Sequence, residues 1–568
     1  RGLWPGLCGM AGDHGAALVW TGTRARHTAL EPRPECLNPM PADRRPSYIL
    51  FITDQQRADH LGCTGHPVLQ TPNIDAMAAE GVIFDRFYVA SPICMPNRAS
   101  LMTCRMPSSH GVRTLGHPLG HEHVTFVDVL RAAGYDTALI GKSHLQNVSR
   151  FEVKMEPRVY REGYAAPPEE LAQAIRVDRD GPTYQYERQS FWTQENPVVP
   201  TPFYGFDHYD SVTRHGTNVG GDYELWLRKT APHVLPLRGR DTQLPHDYTC
   251  PQAVRTPIPE EYYSTTYIAN QAARWLEARE GSDRPFFLMV SWPDPHHPFN
   301  PPGRFWDMYD PDQMPQPRGY NEPDWAVPDY ITAAEEERAS NPAAGQGMGY
   351  TIAVSEREAR EARALTCGMI SMVDEGVGRV RAAAEAAGLA DKTVQIFTSD
   401  HGDHLGDHRL LFKGAEQYDT LNHVPFIWSD PKGESGTRTR AFGQTHDIGT
   451  TIMEHARIEA PDGMQGQALS VAGGAGREAV FIQYESQRTQ PVFGKEPRAH
   501  TLLHDNWRLT VYRGECENEL FDLSADPDEM VNLWSNPEYS AVRFDLLERL
   551  AQAEIDVMDR APLPTAEA

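Results

Sequence analysis

The stretch Ser47-Tyr48-Ile49-Leu50-Phe51-Ile52-Thr53, followed at once by Asp54, decides the fold of this chain. A nearly continuous apolar run of this length is typical of a strand that is buried on both faces of a parallel sheet. Similar runs occur at 135–140, 285–292 and 393–398, and helical patterns lie between them at 126–133, 262–280 and 355–387. This alternation predicts an α/β domain in which helices flank a large, mostly parallel sheet.

Charged or imidazole side chains follow each of the four apolar runs. They are Asp54, Lys142, His296 and the pair Asp400-His401. In open α/β sheets, ligands bind outside the carboxyl ends of the strands, so we expect these side chains to meet at one edge of the sheet. A single strand can end in a polar residue for structural reasons alone. Here all four runs are followed by side chains that can bind a metal or an anion, which favours a functional site over a purely structural explanation.

The composition is that of a folded, acidic protein. The 568 residues include 53 basic and 78 acidic side chains, which gives a net charge of −25 at pH 7. Such a surface repels nucleic acid and anionic membranes, so neither is expected as a partner. No apolar run approaches the ~20 residues of a membrane span. The eight cysteines are scattered, and we expect a cytoplasmic enzyme whose thiols are mostly reduced.

The sequence predicts three parts. Residues 1–45 are an N-terminal extension without periodicity, to which we assign no function, and 46–435 are the catalytic domain. Long inserted loops at about 150–260 are expected near the mouth of the site, where substrate selectivity often resides. Residues 436–568 are predicted to form a smaller α+β domain that ends in a helix. One face of that helix carries Leu546, Leu550, Ala553 and Val557. We expect this stripe to pack on its own domain, with a homo-oligomer contact as the alternative.

Cys94 begins the segment with the most informative chemistry. Pro96 suits the first turn of a helix, which places Cys94 at the helix N-terminus, where free N–H groups and the macrodipole favour anions. Arg98, one turn later, adds a fixed positive charge. These residues alone leave three interpretations open: a buried inert cysteine, a thiol nucleophile of lowered pKa, or the precursor of a modified nucleophile.

The segment Cys94-Met95-Pro96-Asn97-Arg98, with Leu101 and Arg105 after it, resembles the signature of the formylglycine-dependent sulfatases of the alkaline phosphatase superfamily. Further segments resemble the other motifs of this family in the same order. They are 53–59, 141–145, 295–298, 399–408 with Lys413, 519–523, 526–527 and 532–533. The resemblance spans roughly residues 46–535. It implies an alkaline-phosphatase-like fold and the hydrolysis of small anionic sulfate esters, most simply aryl sulfates.

The resemblance also implies a role for each site residue. A formylglycine-generating enzyme would convert Cys94 to formylglycine (3-oxoalanine), whose hydrate attacks sulfur and later releases sulfate. The implied ligands of one divalent cation, Ca²⁺ or Mn²⁺, are Asp54, Gln55, Asp400, His401 and the modified Cys94. Arg98 and Lys142 would stabilise the hydrate, and His144 would be the base that drives elimination. His296 and Lys413 would hold the sulfuryl oxygens and assist the leaving group.

Two of the implied ligands depart from the usual sulfatase pattern. Many sulfatases carry a second Asp where Gln55 stands and an Asn or Gln where His401 stands. A nitrogen ligand and a lower negative charge fit manganese or another transition metal better than calcium. The same two residues resemble the phosphonate monoester and phosphodiester hydrolase branch, whereas Lys142 and His144 match the sulfatase pattern. We therefore expect a sulfatase, with a hydrolase of that branch as the alternative and a non-catalytic binding relative as a remote third.

Overall fold

The computed structural model describes most of the chain. The described residues are 45–148, 159–168, 171, 175, 179–346, 350–486, 489–490, 492–493, 496–514, 516–563 and 565–566. They all belong to one compact unit. The predicted N-terminal extension, apart from residue 45, lies outside the described residues, and so do Cys8 and Cys36. The six cysteines within them are free thiols.

Fifteen strands lie in the described part of the chain. They are β1 (Ser47–Thr53), β2 (Val82–Tyr88), β3 (Asp136–Gly141), β4 (His208–Thr213), β5 (Gly220–Gly221), β6 (Phe286–Ser291), β7 (Ile352–Ala353), β8 (Thr393–Ser399), β9 (Leu410–Leu411), β10 (Phe426–Ser429), β11 (Thr437–Gln444), β12 (Ala479–Glu485), β13 (Arg498–His504), β14 (Trp507–Tyr512) and β15 (Glu519–Asp522).

Twelve α-helices accompany these strands in the same described ranges. They are α1 (Pro72–Ala79), α2 (Cys94–Thr103), α3 (Pro107–His110), α4 (Phe126–Ala132), α5 (Gln189–Trp192), α6 (Asp222–Thr230), α7 (Ser264–Glu277), α8 (Asp329–Ser340), α9 (Glu356–Ala386), α10 (Asp419–Asn422), α11 (Asp447–His455) and α12 (Ser540–Asp556). The helices α4, α7 and α9 occupy the three stretches where the sequence predicts helices. None of the helices in the described residues is long and apolar enough to cross a membrane.

Nine strands form one large sheet in the order β11-β2-β10-β8-β1-β6-β3-β4-β5. The strand β10 runs antiparallel to both of its neighbours, β5 runs antiparallel to β4, and the other pairs are parallel. The predicted α/β class with a mostly parallel sheet is therefore confirmed. The four apolar runs of the sequence are β1, β3, β6 and β8, which are adjacent in the middle of the sheet.

The strand β1 shows why its sequence is apolar at every position from Tyr48 to Ile52. Tyr48, Leu50 and Ile52 belong to the core on one face of the sheet, where α4 and α11 pack. Ile49 and Phe51 belong to the core on the other face, where α7 and α9 pack. Because successive side chains of a strand point to opposite faces, helices on both sides of the sheet require apolar residues throughout.

A second sheet follows near the C-terminus. The strands β12, β13, β14 and β15 form it in sequential, antiparallel order. It begins at residue 479, later than the predicted start of the C-terminal part at 436, because β11 and α11 still belong to the large sheet and its core. The helix α12 packs on the second sheet through Leu546 and Leu550, with Ala553 and Val557 partly buried beside them. The predicted apolar stripe thus packs within its own unit.

The described part of the stretch 150–260 contains more regular structure than the sequence suggests. We expect long loops there, but its described residues include β4 and β5, which extend the large sheet at one edge. The expectation of loops is therefore wrong for residues 208–221. The sequence of β4, His-Tyr-Asp-Ser-Val-Thr, is polar because this strand lies near the edge and only its second half is buried.

Candidate active site

Two carboxylates lie side by side at the carboxyl edge of the large sheet. The strands β1 and β8 are paired in parallel, with Thr53 opposite Ser399. Asp54 and Asp400 are the next residues in each strand's direction, so the register alone makes them neighbours. The backbone N–H of Asp400 donates to the carbonyl of Thr53 over 3.2 Å. Both aspartate side chains are fully buried.

These carboxylates and His401 form a group that could hold a divalent cation. One donor atom from each of Asp54, Asp400 and His401 lies within 4.8 Å of the others. The Oδ1 atom of Asp54 is buried and has no hydrogen-bond partner in the described residues, and an unpaired buried carboxylate oxygen suits a metal. Gln55 is adjacent, but its side-chain oxygen accepts a hydrogen bond from Lys413 Nζ over 3.0 Å. The donor set of oxygen and nitrogen fits a divalent cation.

The predicted nucleophile, Cys94, is the first residue of α2 and is buried. Burial by itself raises the pKa of its thiol, but the charges of Lys413 and Lys142 and a hydrogen bond with His401 together lower it. The side chain of residue 94 therefore lies among cations at a helix N-terminus. Such a position favours a developing negative charge.

Arg98 ties the helix of the nucleophile to the metal donors. Its Nε donates to Asp400 Oδ2 over 2.6 Å, and one terminal nitrogen donates to the carbonyl of Lys142 and to Ser291 Oγ, each over 2.9 Å. The other terminal nitrogen is 4.0 Å from Asp54 Oδ2. Burial opposes the charge of this guanidinium, but the two aspartates raise the pKa of Arg98. Its contacts hold α2, β3, β6 and β8 in one arrangement.

Lys142 and His144 follow β3. The ammonium of Lys142 is fully buried and contacts Asp54 Oδ2. Burial and the nearby charge of Lys142 lower the pKa of His144 well below its usual value, and its Nδ1 has no hydrogen-bond partner in the described residues. The ring is therefore neutral, and a neutral imidazole has one ring nitrogen that can accept a proton.

His296 and Lys413 lie on the other side of the group. His296 Nδ1 is 2.5 Å from the carbonyl of His297, which can only accept, so Nδ1 carries the proton of this hydrogen bond. Burial, His215 and His297 lower the pKa of His296 well below its usual value. Lys413 Nζ is 2.8 Å from His401 Nε2, and its charge also acts on the thiol of Cys94.

The structure brings every predicted site residue into one buried group at the sheet edge. The members are Asp54, Gln55, Cys94, Arg98, Lys142, His144, His296, Asp400, His401 and Lys413, all at most 8% exposed. His404 and His408, which the sequence analysis does not assign, lie outside it. His404 Nδ1 contacts Thr420 Oγ1, and the ring of His408 stacks on Tyr418 with centroids 3.7 Å apart.

Two further residues of the group come from the stretch predicted as loops. The Nε2 atom of His215 is 2.6 Å from Lys142 Nζ, and its ring stacks on that of His296. The buried carboxylate of Glu187 accepts from the backbone N–H groups of His144 (2.8 Å) and Gln146 (2.6 Å). His215 follows β4 as the other site residues follow their strands, and recognition of that strand would have found it. Nothing local in the sequence marks Glu187.

Gln55 and His144 adopt left-handed backbone conformations, with φ of 69° and 58°. Non-glycine residues avoid this region because Cβ approaches the carbonyl oxygen. In both cases the chain leaves a strand and turns sharply within two or three residues. The turn brings the side chain back toward the carboxyl edge of the sheet.

A family model described as Sulfatase matches residues 46–458. A second one, described as the C-terminal part of N-sulphoglucosamine sulphohydrolase, matches residues 406–556. Among curated proteins, an arylsulfatase of Clostridium perfringens is 27% identical over 90% of this chain and 95% of its own length. The multifunctional alkaline phosphatase superfamily protein PehA of Trinickia caryophylli is 28% identical over 91% of this chain and 96% of its own length.

The crystal structure of the phosphonate monoester hydrolase of Agrobacterium radiobacter has the same fold. It superposes with a TM-score of 0.69 at 24% identity and covers 91% of this chain and 97% of its own. The alkaline-phosphatase-like architecture expected from the sequence is therefore confirmed.

Proposed function

The chain belongs to the sulfatase family and is a sulfuric ester hydrolase, and from this premise we propose that it cleaves aryl-type sulfate esters with a formylglycine nucleophile at Cys94. One observation carries the proposal. The side chain of Cys94, at the start of α2, lies in one buried group with three metal donors and two lysines. The overall reaction adds water to the ester and releases an alcohol and sulfate.

The proposal includes one divalent cation and the modified residue 94. When bound, the cation supplies a Lewis acid for the ester oxygens, and the hydrated aldehyde supplies one hydroxyl for attack and a second for the release of sulfate. Asp54, Asp400 and His401 would hold the cation. Arg98, through its bond to Asp400, would keep residue 94 at a fixed distance from it.

The remaining residues would bind the ester and move protons. Lys413 would neutralise the sulfuryl oxygens and Lys142 would stabilise the hydrate of residue 94, effects that are strong where water is excluded. His144, whose Nδ1 has no hydrogen-bond partner among the residues that the structure describes, would take up a proton in the step that releases sulfate. His296 holds its Nδ1 proton against the carbonyl of His297, so a proton added at Nε2 would provide a donor for the leaving oxygen.

Maturation of the nucleophile is part of the proposal. Cys94 is 3% exposed, so a formylglycine-generating enzyme would have to act before the chain folds or during a local opening. Mass analysis of the tryptic peptide of residues 87–98 tests the modification. We expect the aldehyde, in which an oxygen replaces the sulfur and two hydrogens are lost, or its hydrate, which carries one further water. Only free cysteine in an active preparation would contradict the proposed nucleophile.

A pair of cysteine variants tests the role of residue 94. We expect Cys94→Ala to abolish turnover of an aryl sulfate. Cys367→Ala is the matched control, because Cys367 is also fully buried but lies on α9, outside the site. Unchanged activity of Cys94→Ala would favour a non-catalytic role for this residue and refute the proposal.

A second candidate function uses the same site. Gln55 and His401 resemble the phosphonate monoester and phosphodiester hydrolase branch, and PehA is described as multifunctional. Turnover of an aryl sulfate, an aryl phosphonate monoester and a phosphate diester by one metal-loaded preparation decides between the two. We expect the sulfate ester to be the best substrate. If it were the poorest by orders of magnitude, the second candidate would replace the first.

A further inference from the structure

His215 contacts three members of the catalytic group, although no sequence motif marks it. Its Nε2 atom is 2.6 Å from Lys142 Nζ and 3.3 Å from Asp54 Oδ2. Its ring lies nearly parallel to that of His296, with centroids 3.6 Å apart and planes inclined by 8°. His215 is buried, with only 5% of its surface exposed. It therefore has almost no freedom to take another position.

The direction of the hydrogen bond follows from the chemistry of the two groups. An ammonium has only donors, so Lys142 donates and His215 Nε2 accepts. The proton of the neutral ring is then on Nδ1, which has no hydrogen-bond partner in the described residues. Lys142 thus has two fixed acceptors, Asp54 Oδ2 and His215 Nε2.

His215 could instead belong to a second cation site, together with Asp54 and His296. Donor atoms of Asp54, His215 and His296 lie within 4.8 Å of one another. The two oxygens of Asp54 distinguish the groups. Oδ1, which has no hydrogen-bond partner in the described residues, lies 3.4 Å from His401 Nε2. Oδ2 lies 3.3 Å from His215 Nε2 and is already in contact with the ammonium of Lys142. The arrangement fits a support for Lys142 and His296 better than a metal site.

The chain after His215 is built for close contact with the loop of His296. Gly216 has a φ of 58°, and a Cβ added to it would lie 3.0 Å from two side-chain carbons of Pro298. Any other residue would therefore be strained and would press against the His296 loop. This fit fixes the backbone of His215 relative to that of His296.

We propose that His215 is a positioning residue of the ester site: its Nε2 fixes the ammonium of Lys142, and its ring fixes the ring plane of His296. The inference rests on the proposed function, in which Lys142 stabilises the hydrate of residue 94 and His296 assists the leaving group. The stretch 150–260 would thus supply, through His215, a buried support for Lys142 and His296 as well as surface loops.

Three variants separate the two contacts. His215→Gln keeps an acceptor near the Nε2 position but removes the stacked ring, His215→Phe keeps the ring but removes the acceptor, and His215→Ala removes both. We expect kcat/KM to fall by about 10–100-fold in the alanine variant, as for other residues that orient catalytic groups. Each of the other two variants should recover part of this loss.

A series of aryl esters with phenols of increasing pKa gives the diagnostic result. Since His296 would assist the leaving group, loss of the stack in His215→Gln should depress the rates of the poorest leaving groups most. His215→Phe should retain the wild-type dependence on the leaving group. His455→Gln and His455→Phe are matched controls, because His455 contacts Tyr48 at the opposite end of β1 from Asp54. Equal losses of activity in the His215 variants and the His455 controls, or no loss in the His215 variants, would overturn the proposal.

A crystal structure of the metal-loaded His215→Ala protein separates this inference from the proposed function. We expect Lys142 Nζ and the His296 ring to move or to become disordered. If both stay in place, the positioning role is refuted, whatever ester the enzyme prefers. If they move while the wild type cleaves neither sulfate, phosphonate nor diester, the proposed function fails and the positioning role stands.

Discussion

Replacement of Glu187 by glutamine should test how the turn that carries His144 is held. The buried carboxylate of Glu187 accepts two backbone N–H groups, those of His144 and Gln146, over 2.8 and 2.6 Å. Gln146 returns the contact, because its side-chain oxygen accepts from the N–H of Tyr186 over 2.9 Å. Residues 144–146, which follow β3, are thus joined to residues 186–187 by three hydrogen bonds.

The magnitude follows from the number of acceptors. Glutamine offers one side-chain oxygen, so one backbone N–H loses its partner and faces an NH₂ group that can only donate. A hydrogen bond to a charged group contributes about 1.5–3 kcal/mol, and an unsatisfied buried donor costs about 1–3 kcal/mol. We expect Glu187→Gln to lower the free energy of unfolding by about 3 kcal/mol. Because a shift of about 1 Å at a catalytic group can cost 10²-fold, kcat should also fall at least tenfold.

Glu361→Gln is the matched control for this experiment. Glu361 is also buried, and its Oε2 accepts two consecutive backbone N–H groups, those of Thr249 and Cys250, over 2.7 and 2.8 Å. Its Oε1 accepts from Arg357 Nε over 2.7 Å. It lies outside the group of site residues. Glutamine at 361 can keep both backbone hydrogen bonds at its single oxygen but loses the charge that faces Arg357. Urea unfolding should therefore show the larger loss for Glu187→Gln, and kcat measured well below the transition should fall only for that variant. An unchanged kcat in Glu187→Gln at a proven loss of stability would refute the reasoning.

Three further outcomes are expected. Removal of the divalent cation by a chelator should abolish turnover and lower the melting temperature, and added Mn²⁺ or Ca²⁺ should restore both; full activity after exhaustive chelation would contradict a metal site. Asp374→Asn should lower the free energy of unfolding by about 2 kcal/mol in urea titration without changing kcat, because the Asp374 carboxylate accepts from the N–H of Asn73 (3.0 Å) at the start of α1. Burial opposes the charge of Asp407, but Arg363, 2.6 Å away, and Arg57 hold its pKa well below the usual value. Asp407 therefore stabilises the fold above the unfolded pKa of about 3.9, and this stabilisation is lost as pH falls toward the folded pKa. The difference in the free energy of unfolding between the wild type and Asp407→Asn should be largest near neutral pH and shrink below about pH 4. A difference that does not change with pH would contradict this assignment.

The strands that carry most of the site could be predicted because their burial is complete. A strand covered on both faces must be apolar at each position, so β1, β3, β6 and β8 stand out in the sequence, and the polar residue after each one marks the edge of the sheet. The strand β4 could not be predicted in this way. Its first half is exposed or partly exposed, so its sequence does not differ from that of a loop, and His215 was missed with it.

Tertiary contacts account for the other differences. Gln55 stays a predicted metal ligand, and the structure adds a contact that the sequence does not show. Its side-chain oxygen accepts a hydrogen bond from Lys413, which lies 358 residues later in the chain. Glu187 satisfies backbone groups that have no sequence signature. The start of the second sheet at residue 479, rather than near 436, also depends on strand pairing, since β11 pairs with β2 at the edge of the large sheet.

The left-handed conformations of Gln55 and His144 have a consequence for engineering. Glycine at either position would relieve about 1–2 kcal/mol of backbone strain, so substitutions at these two residues would be attractive in a search for thermostable variants. Each would also remove a side chain that the catalytic edge of the sheet uses. Stability and activity are therefore opposed at these two positions, and a more heat-resistant enzyme is better sought on the distant faces of α7, α9 and α12.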